Sequence, residues 1–152
     1  MSADAIASTE RMTQLFLELV RIDSHSRQEL AVARRLEREL TALGAEVWFD
    51  DAGTKVGGNV GNLLARVRGT VDVEPLLLSA HMDTVVPGEG VKPIVEGDVI
   101  RSDGTTVLGG DDKSGLTIVC EVLRVLGERR IPHGDVEVAF TICEEVGLLG
   151  AK

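Results

Sequence analysis

Clustered lysine and arginine are missing from this chain of 152 residues, which sets 16 basic residues against 25 acidic ones for a formal net charge of −9. Phosphate neutralisation needs such clusters, so nucleic acid is excluded as a partner, and an anionic membrane surface with it. Cysteine is scarce too. Cys120 lies in an apolar helical stripe and Cys143 ends an apolar strand, which reads as two buried free thiols in a reducing compartment rather than a disulfide framework. No apolar run approaches the roughly 20 residues of a membrane span, and the N-terminal stretch MSADAIASTER has neither a basic start nor an apolar signal core. These absences predict a cytoplasmic globular protein, and the length fits one domain with a real core.

What is present alternates between helix and strand. Met12, Leu15, Phe16, Leu19 and Val20 recur at helical spacing and predict a helix over about 8–21. Ser26 and Glu29 form a capping box ahead of Leu30, Ala33, Leu36, Leu40 and Leu43, with Gly44 as the stop, so a second helix is expected over about 27–43. Segments 45–50 and 62–68 read as strands joined by a glycine-rich loop over 53–61. The uniformly apolar run 76–80 predicts a central strand covered on both faces, and 93–102 a hairpin turning at Gly97-Asp98. A helix over about 112–126, closed by Gly127, then leads to a strand over 136–142, a βαβ crossover between parallel strands. The fold class is therefore α/β, a mostly parallel sheet flanked by helices.

Three stretches each begin where an apolar run stops: HMDTV (81–85), GGDDKSG (109–115) and the segment opening Cys143-Glu144-Glu145. Open parallel sheets bind ligands beyond the carboxyl ends of their strands, so the topology brings all three to one rim. Carboxylates crowded there require a cation. His81 and Asp83 stand at i and i+2 of an extended chain and point the same way, which lets the carboxylate hold one ring nitrogen while the other binds metal. Asp111, between glycines and a second aspartate, offers two oxygens able to bridge two cations. In Glu144-Glu145 adjacent side chains diverge, so one can bind metal while the other faces a substrate. The sum is the apparatus of metal-assisted hydrolysis, with zinc as first choice and manganese or cobalt able to occupy the same shell. His25 precedes a helix cap and His133 lies in a turn at the opposite end of the sheet, so neither is expected to ligate. GGDDKSG lacks the glycine before Lys113 that a phosphate loop needs, and its carboxylates would repel phosphate.

In order and spacing these motifs resemble those of the M20 family of metallopeptidases, and within it the peptidase T-like, tripeptide aminopeptidase-like subgroup. The resemblance covers nearly the whole chain. It implies that His81 binds one metal, Asp83 orients that histidine, Asp111 bridges the two zinc ions and is joined to Asp112 by a cis peptide, Glu145 binds the other metal, and Glu144 is the general base. It implies hydrolysis of short peptides through a metal-bridging water activated by Glu144. Deacylation of N-acyl amino acids and carboxypeptidase action are the alternatives within the family; a non-catalytic metal-binding fragment is the alternative of another class. Members of the family continue further, with another carboxylate ligand, a late histidine ligand, and an inserted smaller domain that closes on substrate and dimerises. Residues 1–152 are thus expected to be the N-terminal portion of a catalytic domain, truncated, with an exposed sheet edge, a weakened second metal and no activity alone; a homodimer is implied for the full-length protein.

Overall fold

The computed structural model describes residues 6–152. Ser8 caps the first helix, its hydroxyl accepting the Arg11 N–H at 3.3 Å, and α1 runs over Thr9–Val20. α2 spans Leu30–Ala42 and turns Val32, Ala33, Leu36 and Leu40 into the core. It begins later than the sequence predicts because the capping box does not form. The Ser26 hydroxyl donates to Asp83 instead, and the Glu29 carboxylate, fully buried, accepts the backbone N–H groups of Arg27 and Cys143. Asp83 and Cys143, distant in sequence, have drawn both side chains away from the positions a cap would use.

Six strands follow: β1 (Glu46–Phe49), β2 (Leu63–Val67), β3 (Leu76–His81), β4 (Pro93–Glu96), β5 (Val99–Ser102) and, after α4 (Gly110–Glu128), β6 (Val136–Thr141). The glycine-rich loop between β1 and β2 contains a short helix, α3 (Ala52–Val56), that its glycine content concealed. β4 and β5 form the expected hairpin, with Gly97 at φ +61° in its turn. The four-stranded sheet has the order β1-β2-β6-β3. Its pairing is mixed, since β3 and β6 run parallel while β1–β2 and β2–β6 are antiparallel. An α/β fold stands, with the parallel character confined to the crossover that carries α4.

The core lies where the alternating residues of the sheet meet the helix stripes. Leu63 and Ala65 of β2 stand opposite Phe140 and Val138 of β6 and are buried with them. α2 packs on β1 and β2, α4 on β3, and α1 on α4. A side chain such as Phe140, fully buried here, contributes roughly 2–3 kcal/mol of apolar transfer. One expectation fails. β3 is not central among the described residues: it pairs with β6 alone, and Leu76 and Leu77 are 57 % and 60 % exposed. Its uniform apolarity marks an unfavourable water-facing surface and says nothing of how many strands flank it. Both cysteines are buried free thiols, as predicted.

Candidate functional site

β3 delivers His81 to the carboxyl end of the sheet, where the ring is 8 % exposed. Its Nδ1 lies 2.9 Å from the main-chain carbonyl of Asp83 and 3.4 Å from that residue's carboxylate. The ring is therefore oriented chiefly by the Asp83 backbone, and a neutral imidazole holding its proton on Nδ1 turns Nε2 to the rim as a free donor pair. Nε2 sits 3.1 Å from Asp111 Oδ1 and 3.9 Å from Glu144 Oε2. Burial disfavours charging the ring, but the carboxylates of Asp83 and Asp111 outweigh it and raise the His81 pKa to about 9. The pull of these carboxylates on the ring marks a place where positive charge is favoured.

Asp111 reaches this point from the start of α4. Gly109, at φ +75°, turns the chain in; the Asp111–Asp112 peptide is cis, as the motif implies, and neither residue has helical φ/ψ. Asp112 is spent on the helix, its Oδ1 accepting the Gly115 N–H at 3.0 Å in the manner of a cap. A Cβ at position 115 would lie 2.3 Å from that oxygen and would push the Asp112 carboxylate off this cap. Lys113, fully buried, sends its Nζ to the Ile22 carbonyl at 2.6 Å, and burial pulls its pKa down to about 8 against the pull of Asp23. The one cation in GGDDKSG thus fastens α4 to the end of α1 and pairs with none of the rim carboxylates.

The third arm follows β6. Four successive backbone N–H groups, of Ile142, Cys143, Glu144 and Glu145, are accepted by side chains: Asn62 Oδ1 (3.0 Å), Glu29 Oε1 (3.0 Å), Asp83 Oδ1 (2.9 Å) and Asp83 Oδ2 (3.1 Å). The Asp83 carboxylate, completely buried, therefore holds the Glu144-Glu145 backbone, with the Ser26 hydroxyl at 2.6 Å on its second oxygen. Burial acts to raise the Asp83 pKa, and His81, Ser26 and these two amides together hold it below the usual carboxylate value. Cys143 has φ +53°, a conformation costing a non-glycine residue about 1–2 kcal/mol. Burial, then the Glu29 carboxylate, push its thiol to about 11, so it is no nucleophile at neutral pH.

His81, Asp111 and Glu145 each present a ligand atom within 4.8 Å of the others. One imidazole and two carboxylates suit zinc, and manganese or cobalt as well. Burial first, then Asp111, Glu144 and Asp83, raise the pKa of Glu145, with His81 opposing. No Lys or Arg ion pair reaches Asp111, Glu144 or Glu145 among the described residues. Beside Glu145 opens a cleft of ≈ 450 Å³ walled by His25, Ser26, Thr84, Val85 and Val86.

All five residues singled out in the sequence thus meet at one rim, with Asp83 as the buried support rather than a surface participant. His25 stands at the cleft wall outside the three-ligand group, and His133 lies in the loop before β6 at the other end. Sequence reasoning missed Glu29, Asn62 and Lys113 as parts of the site's foundation. A glutamate heading a helix, an asparagine before a strand and a lysine in an acidic motif each have an ordinary local reading, and only tertiary placement reveals the other one.

The model of peptidase family M28 matches residues 62–152. The solved aminopeptidase PepT from Bacillus cereus is 44% identical with a TM-score of 0.94, over 97% of this chain and 40% of its own. A solved tripeptidase from Staphylococcus aureus is likewise 44% identical, with a TM-score of 0.92 over the same shares. The protein YqjE of Bacillus subtilis is 44% identical over 147 residues, 97% of this chain and 40% of that protein. The chain accordingly spans about 40% of the length of the relatives it matches.

Proposed function

Given that this chain belongs to peptidase family M28 and is built like the PepT tripeptidases of the related M20 family, we propose that it is the metal-binding part of an exopeptidase acting on short peptides. The observation that carries the reading is the convergence of His81, Asp111 and Glu145 within 4.8 Å at a rim that holds uncompensated negative charge. These three residues would hold zinc, with two ions in the complete centre. Bound there, the ions supply a Lewis acid for the scissile carbonyl and lower the pKa of an attacking water. Glu144 would accept a proton from the attacking water and return it to the leaving amine. Its position 3.9 Å from His81 Nε2, outside the three-ligand group, leaves it free for this work. Asp83 keeps both glutamates and the imidazole in register through its carboxylate and its carbonyl. The cleft beside Glu145 receives the peptide.

The test, made on the full-length protein that carries these residues, joins calorimetric zinc titration to assays against tripeptides with free termini and against N-acyl amino acids, each with and without chelator. Zinc binding that His81→Ala weakens, with chelator-sensitive release of the amino-terminal residue, is the expected result. Zinc uptake unaltered by His81→Ala would defeat the site, and hydrolysis of N-acyl amino acids alone would move the substrate class to deacylation.

A further inference from the structure

Glu29 is a buried carboxylate that the reaction as proposed does not use. Its side chain is completely inaccessible, and no lysine or arginine pairs with it among the described residues. Oε1 accepts the N–H groups of Arg27 and Cys143, each at 3.0 Å, and lies 3.5 Å from the Cys143 sulfur; Oε2 has no hydrogen-bond partner among the described residues. Burying an acid for so few hydrogen bonds is unfavourable unless something else is served. Both ends of what it joins matter to the rim. Arg27 and Cys143 each occupy the left-handed region, at φ +75° and +53°, and neither is glycine. Cys143 is the last residue before Glu144, and Arg27 follows Ser26, whose hydroxyl holds Asp83.

We infer that Glu29 is a positioning residue for Glu144 and Glu145: its carboxylate clamps the strained Cys143 backbone to the Arg27 turn and so fixes the angle at which the two glutamates leave β6. The inference rests on the reading of Glu145 as ligand and Glu144 as base. Asn62 and Asp83 hold the flanking amides, of Ile142 on one side and of Glu144 and Glu145 on the other, which leaves Cys143 as the link that Glu29 alone supplies. A clamp at this point acts on geometry without touching metal or substrate, and groups of this kind tune affinity and turnover through the residues they hold.

Two substitutions, made in the full-length protein that carries these residues, separate positioning from mere stability. Glu29→Gln keeps an acceptor oxygen of the same reach, whereas Glu29→Met fills the same volume with none. In Glu29→Met, amide hydrogen exchange at Cys143 and Glu144 is expected to quicken about 10- to 100-fold, the factor set by a lost hydrogen bond to a charged group. Zinc affinity and kcat fall about 10- to 100-fold with KM little changed, the usual cost of losing a support behind ligands. Glu29→Gln restores exchange, affinity and kcat toward wild type. A folded Glu29→Met protein with unchanged exchange at 143–145 and unchanged zinc affinity overturns the inference, as does a Glu29→Gln protein no better than Glu29→Met. If the methionine variant does not fold, Glu29→Asp decides, because its carboxylate is drawn back by one methylene: faster exchange at Cys143 with weaker zinc binding supports the clamp, and wild-type values of both refute it. Should wild type neither bind zinc nor cleave peptides, the functional reading fails on its own, and the exchange measurements still decide whether Glu29 holds this turn.

Discussion

The parallel pair of β3 and β6 has two ends, and they treat negative charge in opposite ways. At the amino end, Asp135 accepts the Gly69 N–H at 2.7 Å and pairs with Arg68 at 3.1 Å, while Glu137 on the strand meets Arg66 at 2.6 Å. Helix carboxylates follow the same rule. Glu121 is paired with Arg11, and Glu39 with both Arg35 and Arg124. At the carboxyl end, Asp83, Asp111, Glu144 and Glu145 converge on a single histidine and, among the described residues, no lysine or arginine. Asp135 is drawn below its usual pKa by the Gly69 amide and by Arg68, whereas Glu145 is driven upward. One end is a finished surface. The other leaves its negative charge uncompensated, and a net charge of −9 is therefore less telling than where the unpaired share of it sits.

The most severe way to break this contrast is to remove the base. Glu144→Gln is expected to lower turnover by about 10²- to 10⁴-fold while zinc affinity stays near wild type, as general base catalysis allows. Asp135→Asn at the opposite end should leave turnover untouched. A Glu144→Gln protein that cleaves peptides at the wild-type rate would show that the crowded rim is not where the chemistry happens. Next in size comes linkage. Zinc at a hundred times its dissociation constant should raise stability by about 2.7 kcal/mol, seen as a higher melting temperature. Asp111→Asn and Glu145→Gln should each remove most of that gain, and Asp135→Asn none of it.

Much of the carboxyl rim was legible in the sequence because its residues come in short motifs at strand ends, where the period of the side chains and the direction of a βαβ unit fix the face and the end they occupy. His81, Asp111, Glu144 and Glu145 needed no knowledge of distant contacts to be placed together. The remainder needed it. Ser26 and Glu29 have the spacing of a capping box, yet their hydrogen bonds go to Asp83, Arg27 and Cys143, because a carboxylate that can be buried against strained backbone amides outcompetes a cap at a helix end. Spacing makes Asp83 the carboxylate behind His81, whereas its main-chain carbonyl makes the shorter contact with the ring and its carboxylate oxygens hold the glutamate turn. Strand β3 was placed at the centre from its apolarity alone. Hydropathy reports which side chains avoid water, and strand order depends on pairings between segments far apart in sequence.

The smallest effect is also the sharpest test, because it concerns a sign. In chelator, at neutral pH, Glu145→Gln should melt slightly above wild type and Asp135→Asn slightly below it. The pKa of Glu145 is raised in the fold, so its ionisation is costlier there than in the unfolded chain, and that cost accrues as pH climbs from the unfolded value through the folded one. Asp135 is the reverse case: its folded pKa is depressed, so its contribution is present above the unfolded value and lost as pH falls through the folded one. Both groups are open enough to solvent that screening keeps the shifts small, and added salt should shrink them further. In strong acid the two variants should converge on wild type. Zinc should then invert the order at neutral pH, since the wild-type carboxylate gains a ligand that glutamine cannot replace, while Asp135→Asn keeps its rank. A Glu145→Gln protein that melts below wild type in chelator at neutral pH would mean that this rim is stabilised by its own charges, and that the contrast between the two ends has been drawn the wrong way round.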